Sequence, residues 1–304
     1  MITIFGIPKA FEGHIGVIQR NAIRSWAKLH RDVQVVLCGD DTGCDAMARE
    51  VGADWLGDME RNEFGTPMLD DAFQQATAIA RHDILVYANA DIILLPQIVD
   101  AARSMPWEAW LMIGRRVDVN LDAELTDTQI CSPRGLARFA ELKGTLHGCG
   151  GMDYFAWPKA AGLSNLPPLA VGRPGWDNYF VEYARYERGL PLVDATDGVL
   201  AIHQNHDYRH VPGGDGRSYE GPEAQQQRNA LGDVSGSVFD ATHCFTAVGL
   251  SCVQGYPYRR ARWKRKWLTR QLLLAESLIA ESTATPRRWF KQALDPGKHD
   301  KKAA

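Results

Sequence analysis

Residues 83–94 read DILVYANADIIL, and this stretch decides the fold class. Ile84 to Tyr87 is an unbroken apolar run of mostly strand-forming residues, which is typical of a strand buried on both faces. Asn89 and Asp91 follow it directly, and their spacing allows both side chains to reach one object above the strand. Because open α/β sheets bind ligands outside the carboxyl ends of their strands, the stretch predicts a ligand site at these two residues.

Strand-like and helix-like segments alternate around this stretch. Before it, the patterns predict strands over residues 2–7 and 33–38, and helices over 15–29, 44–51 and 69–79. After it, Pro96 begins a predicted helix that runs to about residue 104. Strands and helices in alternation with short connections predict an α/β fold with a mostly parallel central sheet flanked by helices.

The second half of the chain is less regular. The predicted elements are strands at 110–113, 191–193 and 199–203, and helices at 133–142 and 179–188. Glycines at 148, 150 and 151 form a flexible turn that leads into residues 152–157. Residues 208–236 are rich in Gly, Gln, Asp and Ser, and we predict a mobile segment with one short helix near 223–231 that closes over a site.

The chain divides into a domain of residues 1–255 and a basic C-terminal extension of residues 256–304. Within the domain we expect two halves, residues 1–108 and residues 109–255. Between Arg259 and Arg270 the extension carries seven Lys or Arg and no acid. We predict amphipathic helices there, which either rest on anionic lipid as a peripheral membrane contact or pack on the domain with a solvated basic edge.

Composition limits the class of protein. The 304 residues have a formal net charge of -3, so the molecule as a whole is not a generic nucleic-acid binder. The six cysteines form no C-x-x-C pair, and we expect reduced thiols in a cytoplasmic protein. No signal peptide is expected at the N-terminus, and no apolar run reaches the roughly 18 residues of a membrane span.

Asn89 and Asp91 have two interpretations. A carboxylate at a strand end with a second oxygen ligand nearby suits Mg²⁺ or Mn²⁺, which keeps few protein carboxylates and takes its other ligands from a substrate diphosphate. In the alternative, Asp91 caps the helix that begins at Pro96 or bonds loop amides.

Three histidines, His203, His206 and His210, are spaced H-x-x-H-x-x-x-H. On a helix they would share a face and could bind Zn²⁺. The preceding residues 200–202 indicate a strand instead, and on a turn the three side chains are not expected to converge. We therefore favour His203, at the strand end, as a metal ligand or phosphate contact.

Two more acidic positions are ambiguous. Asp177 and Asn178 follow Trp176 at a predicted helix start, where either is an ordinary N-cap or where Asp177 serves as a base and Trp176 as a platform for a sugar ring. Asp153 comes after two glycines that let the backbone approach a ligand closely, and its carboxylate could take two sugar hydroxyls.

These segments together resemble bacterial glycosyltransferases of the GT-A fold over about residues 2–246. Four segments carry the resemblance: Asn89-Ala90-Asp91 at the position of the D-x-D motif, and residues 150–155, 172–178 and 203–208. The first position of the motif departs from the family, because Asn89 stands where an Asp is usual.

The resemblance implies transfer of a sugar from a nucleotide-diphosphate sugar, UDP-linked as the first expectation, to a hydroxyl of a glycan or lipid-linked acceptor. The implied metal is Mn²⁺ or Mg²⁺, held by Asp91 and His203, and Asp177 is the implied base of an inverting displacement. The resemblance also implies that residues 1–108 are the nucleotide-binding half and residues 109–255 the acceptor half. The implied nucleotide contacts are Pro8, Asp40, Asn62 and Asn89. The implied sugar and acceptor contacts are Gly150, Gly151, Asp153, Trp176, Asn178 and His206.

Three alternatives remain open from the sequence. A sugar-phosphate nucleotidyltransferase would need a glycine-rich basic loop after the first strand, and residues 6–13 are poor in glycine. A non-catalytic nucleotide- or glycan-binding protein would bind a donor without turnover. A zinc hydrolase would be revealed by metal analysis.

Overall fold

The computed structural model describes residues 1–206 and 220–253. Three predictions therefore fall outside the described residues: the mobile segment over 208–219, the role of His210, and the C-terminal helices. Residues Met1–Gln254 form one compact unit. Its division at about residue 108 into nucleotide and acceptor halves stays a prediction.

The first half follows the sequence-based expectation closely. In chain order its elements are β1 (Ile2–Gly6), α1 (Gly13–Ala27), β2 (Gln34–Cys38), α2 (Cys44–Val51), β3 (Asp54–Leu56), α3 (Leu69–Ile79), β4 (Ile84–Ala88), β5 (Ile92–Leu94) and α4 (Gln97–Arg103). The short strands β3 and β5 were not predicted. Pro96 is the N-cap residue of α4 and no side chain caps that helix, so Asp91 does not have the capping role that was its alternative interpretation.

The second half differs more from the prediction. Its elements are β6 (Leu111–Val119), α5 (Asp127–Ile130), α6 (Pro133–Lys143), β7 (Thr145–Leu146), β8 (Met152–Pro158), α7 (Trp176–Glu182), β9 (Leu192–Asp194), β10 (Ala201–Gln204), α8 (Pro222–Leu231), β11 (His243–Thr246) and β12 (Gly249–Cys252). The prediction ended β6 at residue 113, and it missed β8 altogether. The helix expected from 179 begins at Trp176, and a π-helical turn, Tyr183–Glu187, continues it.

The central sheet is mostly parallel and has helices on its faces, as predicted. Its strand order is β12-β11-β9-β6-β8-β4-β1-β2-β3. The strands β3, β2, β1 and β4 run parallel, and β8 is inserted antiparallel between β4 and β6. Because β8 opposes both neighbours, β6 points the same way as β4, and β10 in turn pairs parallel with β6. The carboxyl ends of β4, β6 and β10 therefore meet at one edge of the sheet.

Strand β4 is buried on both faces, as its unbroken apolar run predicts. Val86 and Ala88 belong to the core beneath α1, while Leu85 and Tyr87 belong to the core on the opposite face. The second core is rich in aromatic rings: Phe73 stacks on Trp157 with centroids 5.2 Å apart, and Phe5 meets Phe73 edge-on at 5.1 Å. These two cores fix β4, and with it the turn that carries Asn89 and Asp91.

A third, smaller core supports the edge of the sheet near β10. It joins Ile93 of β5 and Ile202 of β10 to α5 and α6 through Ile130 and Leu136. This packing holds β10 against β5, where His203 faces Ile92 across the antiparallel pair. Within residues 1–206 and 220–253, no helix is both long and apolar enough to cross a bilayer.

Candidate active site

Three side chains converge on one point at the shared strand edge. Asp91 lies in the turn between β4 and β5, His203 on β10 and His206 just after it. One ligand atom from each of the three can be chosen so that all lie within 4.8 Å of one another. His206 Nε2 is 3.2 Å from Asp91 Oδ2, and His203 Nε2 is 3.6 Å from the same oxygen. His203 and His206 thus both lie at Asp91; because His210 lies outside the described residues, the expectation that all three histidines do not converge stays a prediction.

In this cluster the carboxylate of Asp91 lies between two imidazole rings. Burial by itself would raise the pKa of Asp91, but His203 and then His206 hold that pKa well below its ordinary range. Burial disfavours a charged His203, yet Asp91 outweighs it and raises the pKa of His203. Asp91 Oδ1 is buried and has no hydrogen-bond partner among the described residues, so this oxygen is available to a cation.

The side chain of Asn89 belongs to a series of connected hydrogen bonds. Its Nδ2 donates to Asp153 Oδ1 at 2.6 Å, and its Oδ1 accepts from the Tyr87 hydroxyl at 3.2 Å. Asp153 is buried, and its Oδ2 accepts from Arg116 Nη1 at 2.5 Å. The residue that replaces the usual Asp of the D-x-D motif is thereby joined to Asp153, and through Asp153 to an arginine that the sequence did not single out.

A cavity of about 280 Å³ opens beside these hydrogen-bonded side chains. Asn89, Asp153 and Asp177 all contribute to its lining, so the structure brings together three residues that the sequence assigned to different roles. Burial raises the pKa of Asp177 to about 6, the backbone N–H of Asn178 opposes that rise, and the Asp153 carboxylate adds to it. A carboxyl group with this pKa is ionised at neutral pH but still basic enough to accept a proton.

The surroundings of Asp177 depend on local backbone geometry. The N-cap of α7 is Gly175, whose φ of 90° is a conformation that suits glycine, so neither Asp177 nor Asn178 is the N-cap. Asn178 lines the cavity and donates from Nδ2 to Gly236 O at 2.6 Å. Trp176 also lines the cavity, but its ring is buried at 6% exposure and packs against Tyr87 and Phe155, as a core residue does.

Gly150 and Gly151, in the turn before β8, have different surroundings. Gly150 is exposed and lines the cavity, and a methyl group there would meet no atom within 4 Å. Gly151 is buried, and a methyl group there would lie 2.3 Å from the ring of His147. Gly151 therefore makes room for a histidine, whereas Gly150 forms part of the open wall.

The predicted nucleotide contacts lie at the ends of β1 and β2 and in the loop before α3. Pro8 is buried with its carbonyl beside Gly39, while Asp40 is exposed and forms an ion pair with Arg61 at 2.5 Å. Asn62 donates to Glu223 Oε1 at 2.7 Å, which ties its loop to α8. Asp40 and Asn62 thus already have protein partners.

Several residues of the site were missed by the sequence-based reasoning. Arg173 lines the cavity and forms an ion pair with Glu223 at 2.5 Å. Lys9 follows β1 in the electrostatic range of Asp91 and Arg173; partial burial lowers the pKa of Lys9, and Asp91 opposes that shift. Gln204 is fully buried and its Nε2 donates to Asp91 O at 3.0 Å, which fixes the turn. A charged residue three positions after a strand was the available signal for Lys9, whereas nothing in the nearby sequence distinguishes Arg173 or Gln204.

No family model matches the sequence, and no curated protein matches it. Among solved structures, the chain is similar to glucosyl-3-phosphoglycerate synthase from Mycobacterium tuberculosis in complex with Mg²⁺ and UDP. The two are 16% identical over 77% of this chain and 80% of that chain, with a TM-score of 0.44. It is also similar to residues 1–349 of TarS from S. aureus in complex with UDP-GlcNAc. Here the identity is 11% over 70% of this chain and 60% of that chain, with a TM-score of 0.46. At these identities and scores the likeness says nothing about the substrate or reaction of this chain.

Proposed function

We propose that the protein is a metal-assisted glycosyltransferase that moves a sugar from a nucleoside-diphosphate sugar to a hydroxyl group of a glycan or lipid-linked acceptor. The observation that carries the proposal is the pairing of two sites at one sheet edge. One is the cluster of Asp91, His203 and His206, and the other is the cavity that contains Asp177. Asn89 lines the cavity and stands two residues before Asp91 in the turn after β4.

The donor set fits a divalent cation. Asp91 offers a buried oxygen that lacks a hydrogen-bond partner among the described residues, and the two imidazole nitrogens lie within reach of the same point. Carboxylate suits Mg²⁺ and Mn²⁺, while imidazole suits later transition metals, so this mixed set favours Mn²⁺ over Mg²⁺. A bound cation would neutralise negative charge on the departing nucleoside diphosphate. Lys9, whose charge interacts with that of Asp91, adds a protein cation to the same region.

Asp177 fits the role of general base. In the cavity its carboxylate would accept the proton of the acceptor hydroxyl as that oxygen attacks the anomeric carbon from the side opposite the diphosphate, which gives inversion. Because burial raises the pKa of Asp177 to about 6, its carboxylate is a stronger base than that of an ordinary aspartate. Asn178, Gly150 and Asp153 line the same cavity and are the proposed acceptor contacts. A peripheral membrane contact through residues 256–304 stays a prediction from the sequence.

Calorimetry tests the proposal directly. UDP, GDP and CMP and their sugar derivatives are titrated into the wild-type protein with and without Mn²⁺, and into Asp91→Asn. The matched control is Asp100→Asn, an exposed acid in the first turn of α4. We expect one diphosphate series to bind only with metal, and this binding to be lost in Asp91→Asn but not in Asp100→Asn. Binding that is the same with and without Mn²⁺ and in Asp91→Asn would show that the metal has no part in the mechanism. No binding at all would reject the transferase.

A zinc hydrolase is a second candidate, favoured by the same three ligands. One carboxylate and two imidazoles with an open position are also a ligand set of catalytic Zn²⁺. Elemental analysis of the purified protein separates the two candidates: stoichiometric zinc that survives dialysis supports the hydrolase, and exchangeable Mn²⁺ supports the transferase.

A further inference from the structure

Asp118 lies beside His203 because of the register between two strands. In the parallel pair of β10 and β6, His203 is the direct partner of Asp118. Side chains two residues apart on a strand share a face, so Arg116 lies on the same face of β6. The sheet therefore brings an arginine and an aspartate to the side of the cluster that faces away from Asp91.

The Asp118 carboxylate is surrounded by three basic groups. Its Oδ1 accepts from Arg116 Nε at 2.9 Å and lies 3.0 Å from His203 Nδ1, while its Oδ2 is 2.6 Å from His147 Nδ1. The His203 contact has ion-pair distance but not hydrogen-bond alignment, and Nδ1 of that ring is buried.

A histidine that binds metal through one ring nitrogen is usually held at the other by a carboxylate, which fixes the ring's tautomer and direction. In His203 the two nitrogens face two different acids: Nε2 faces Asp91, and Nδ1 faces Asp118. We propose that Asp118 is a positioning residue for metal binding, which holds His203 with Nε2 toward the cation, and that Arg116 fixes Asp118 in place. This inference rests on the metal site of the proposed function.

Arg116 also connects this support to the cavity. Its Nη1 donates to Asp153, which lines the cavity, while its Nε donates to Asp118. The guanidinium side chain is only 17% exposed, so both contacts are shielded from solvent. A planar guanidinium that engages two carboxylates at once sets the distance between them, which lysine cannot reproduce.

Mn²⁺ titration followed by the electron paramagnetic resonance of the free ion tests the proposal without substrate or turnover. The variants are Asp118→Ala, Asp118→Asn, which keeps one acceptor oxygen, and the control Asp122→Ala, an exposed acid just beyond the same strand. We expect Asp118→Ala to weaken Mn²⁺ binding about 10- to 100-fold, Asp118→Asn to recover part of the loss, and the control to bind as the wild type does. Arg116→Lys should weaken binding less than Asp118→Ala.

A second readout detects ring position in the metal-free protein. With ¹⁵N-labelled histidine, the His203 resonances should indicate a proton on Nδ1 in the wild type and a changed tautomer ratio in Asp118→Ala. Equal Mn²⁺ affinity in the wild type and in Asp118→Ala would overturn the positioning role and leave the metal site intact. No Mn²⁺ binding by the wild type would overturn the metal site itself. If Asp118→Ala does not fold, Arg116→Lys and Asp118→Asn carry the same comparison.

Discussion

Replacing Asp177 with Asn should stabilise the protein at neutral pH while it removes the activity. Burial is the main reason why the pKa of this carboxyl group is about 6 instead of 3.8. At 1.36 kcal/mol per pKa unit, ionised Asp177 costs the folded state up to about 3 kcal/mol at pH 7. Because the side chain borders the open cavity, solvent screening reduces this value, and we expect a gain of about 1–3 kcal/mol from the neutral amide.

The raised pKa of Asp177 also predicts how the stability of the folded protein depends on pH. The pKa is higher in the folded than in the unfolded protein, so protonated Asp177 contributes stability below about pH 4, and this contribution is lost as the pH rises through about 6. Urea unfolding at pH 4.5 and at pH 7.5 should therefore show the larger advantage of Asp177→Asn at pH 7.5. The same variant should lower kcat about 10²- to 10⁴-fold, the effect of removing a general base, with donor affinity unchanged. The wild-type rate should rise with pH through about 6.

The control is Asp127→Asn, an exposed acid in the first turn of α5, which should leave activity unchanged and stabilise nothing. Two results would refute the reasoning. An Asp177→Asn variant no more stable than the wild type at pH 7.5 would show that the carboxylate is not buried at a cost. Full activity in that variant would show that another group accepts the proton.

Other predictions concern the supports of the site. Gln204→Leu should lower the free energy of unfolding by about 2–4 kcal/mol, because the buried amide donates to Ile18 O and Asp91 O and accepts from Asn21. Denaturant unfolding measures the loss, and Gln97→Leu, at an exposed position, is the control. Gly236→Ala should cost about 1–3 kcal/mol and reduce activity, because the added methyl group would lie 2.2 Å from Asn178 O at the start of α7; wild-type stability would contradict this. Mn²⁺ at a hundredfold excess over its Kd should stabilise the wild type by about 2.7 kcal/mol in thermal unfolding, and Asp91→Asn should show no such gain.

Local sequence patterns were enough for the first half of the fold. The apolar run at 84–87, the helical periodicity of α1 and α3, and Pro96 at the start of α4 are signals within one element, and the structure agrees with each. The same signals located Asp91 at a strand end and Asp177 at a helix start. Such positions follow from the chain's own periodicity, because burial on one or both faces leaves its pattern in consecutive residues.

Pairing between distant segments decided the rest. Apart from Asp153, residues 152–158 are apolar or aromatic and show no alternation, and only contact with β4 and β6 makes them a central strand. Likewise, His206 meets Asp91, and Asp118 meets His203, because β10 pairs with both β5 and β6 in one register. A strand's sequence specifies which faces are buried but not which strand lies beside it. The sequence alone therefore determined the sheet edge and the place of Asp91 on it, and the tertiary structure decided which side chains meet there.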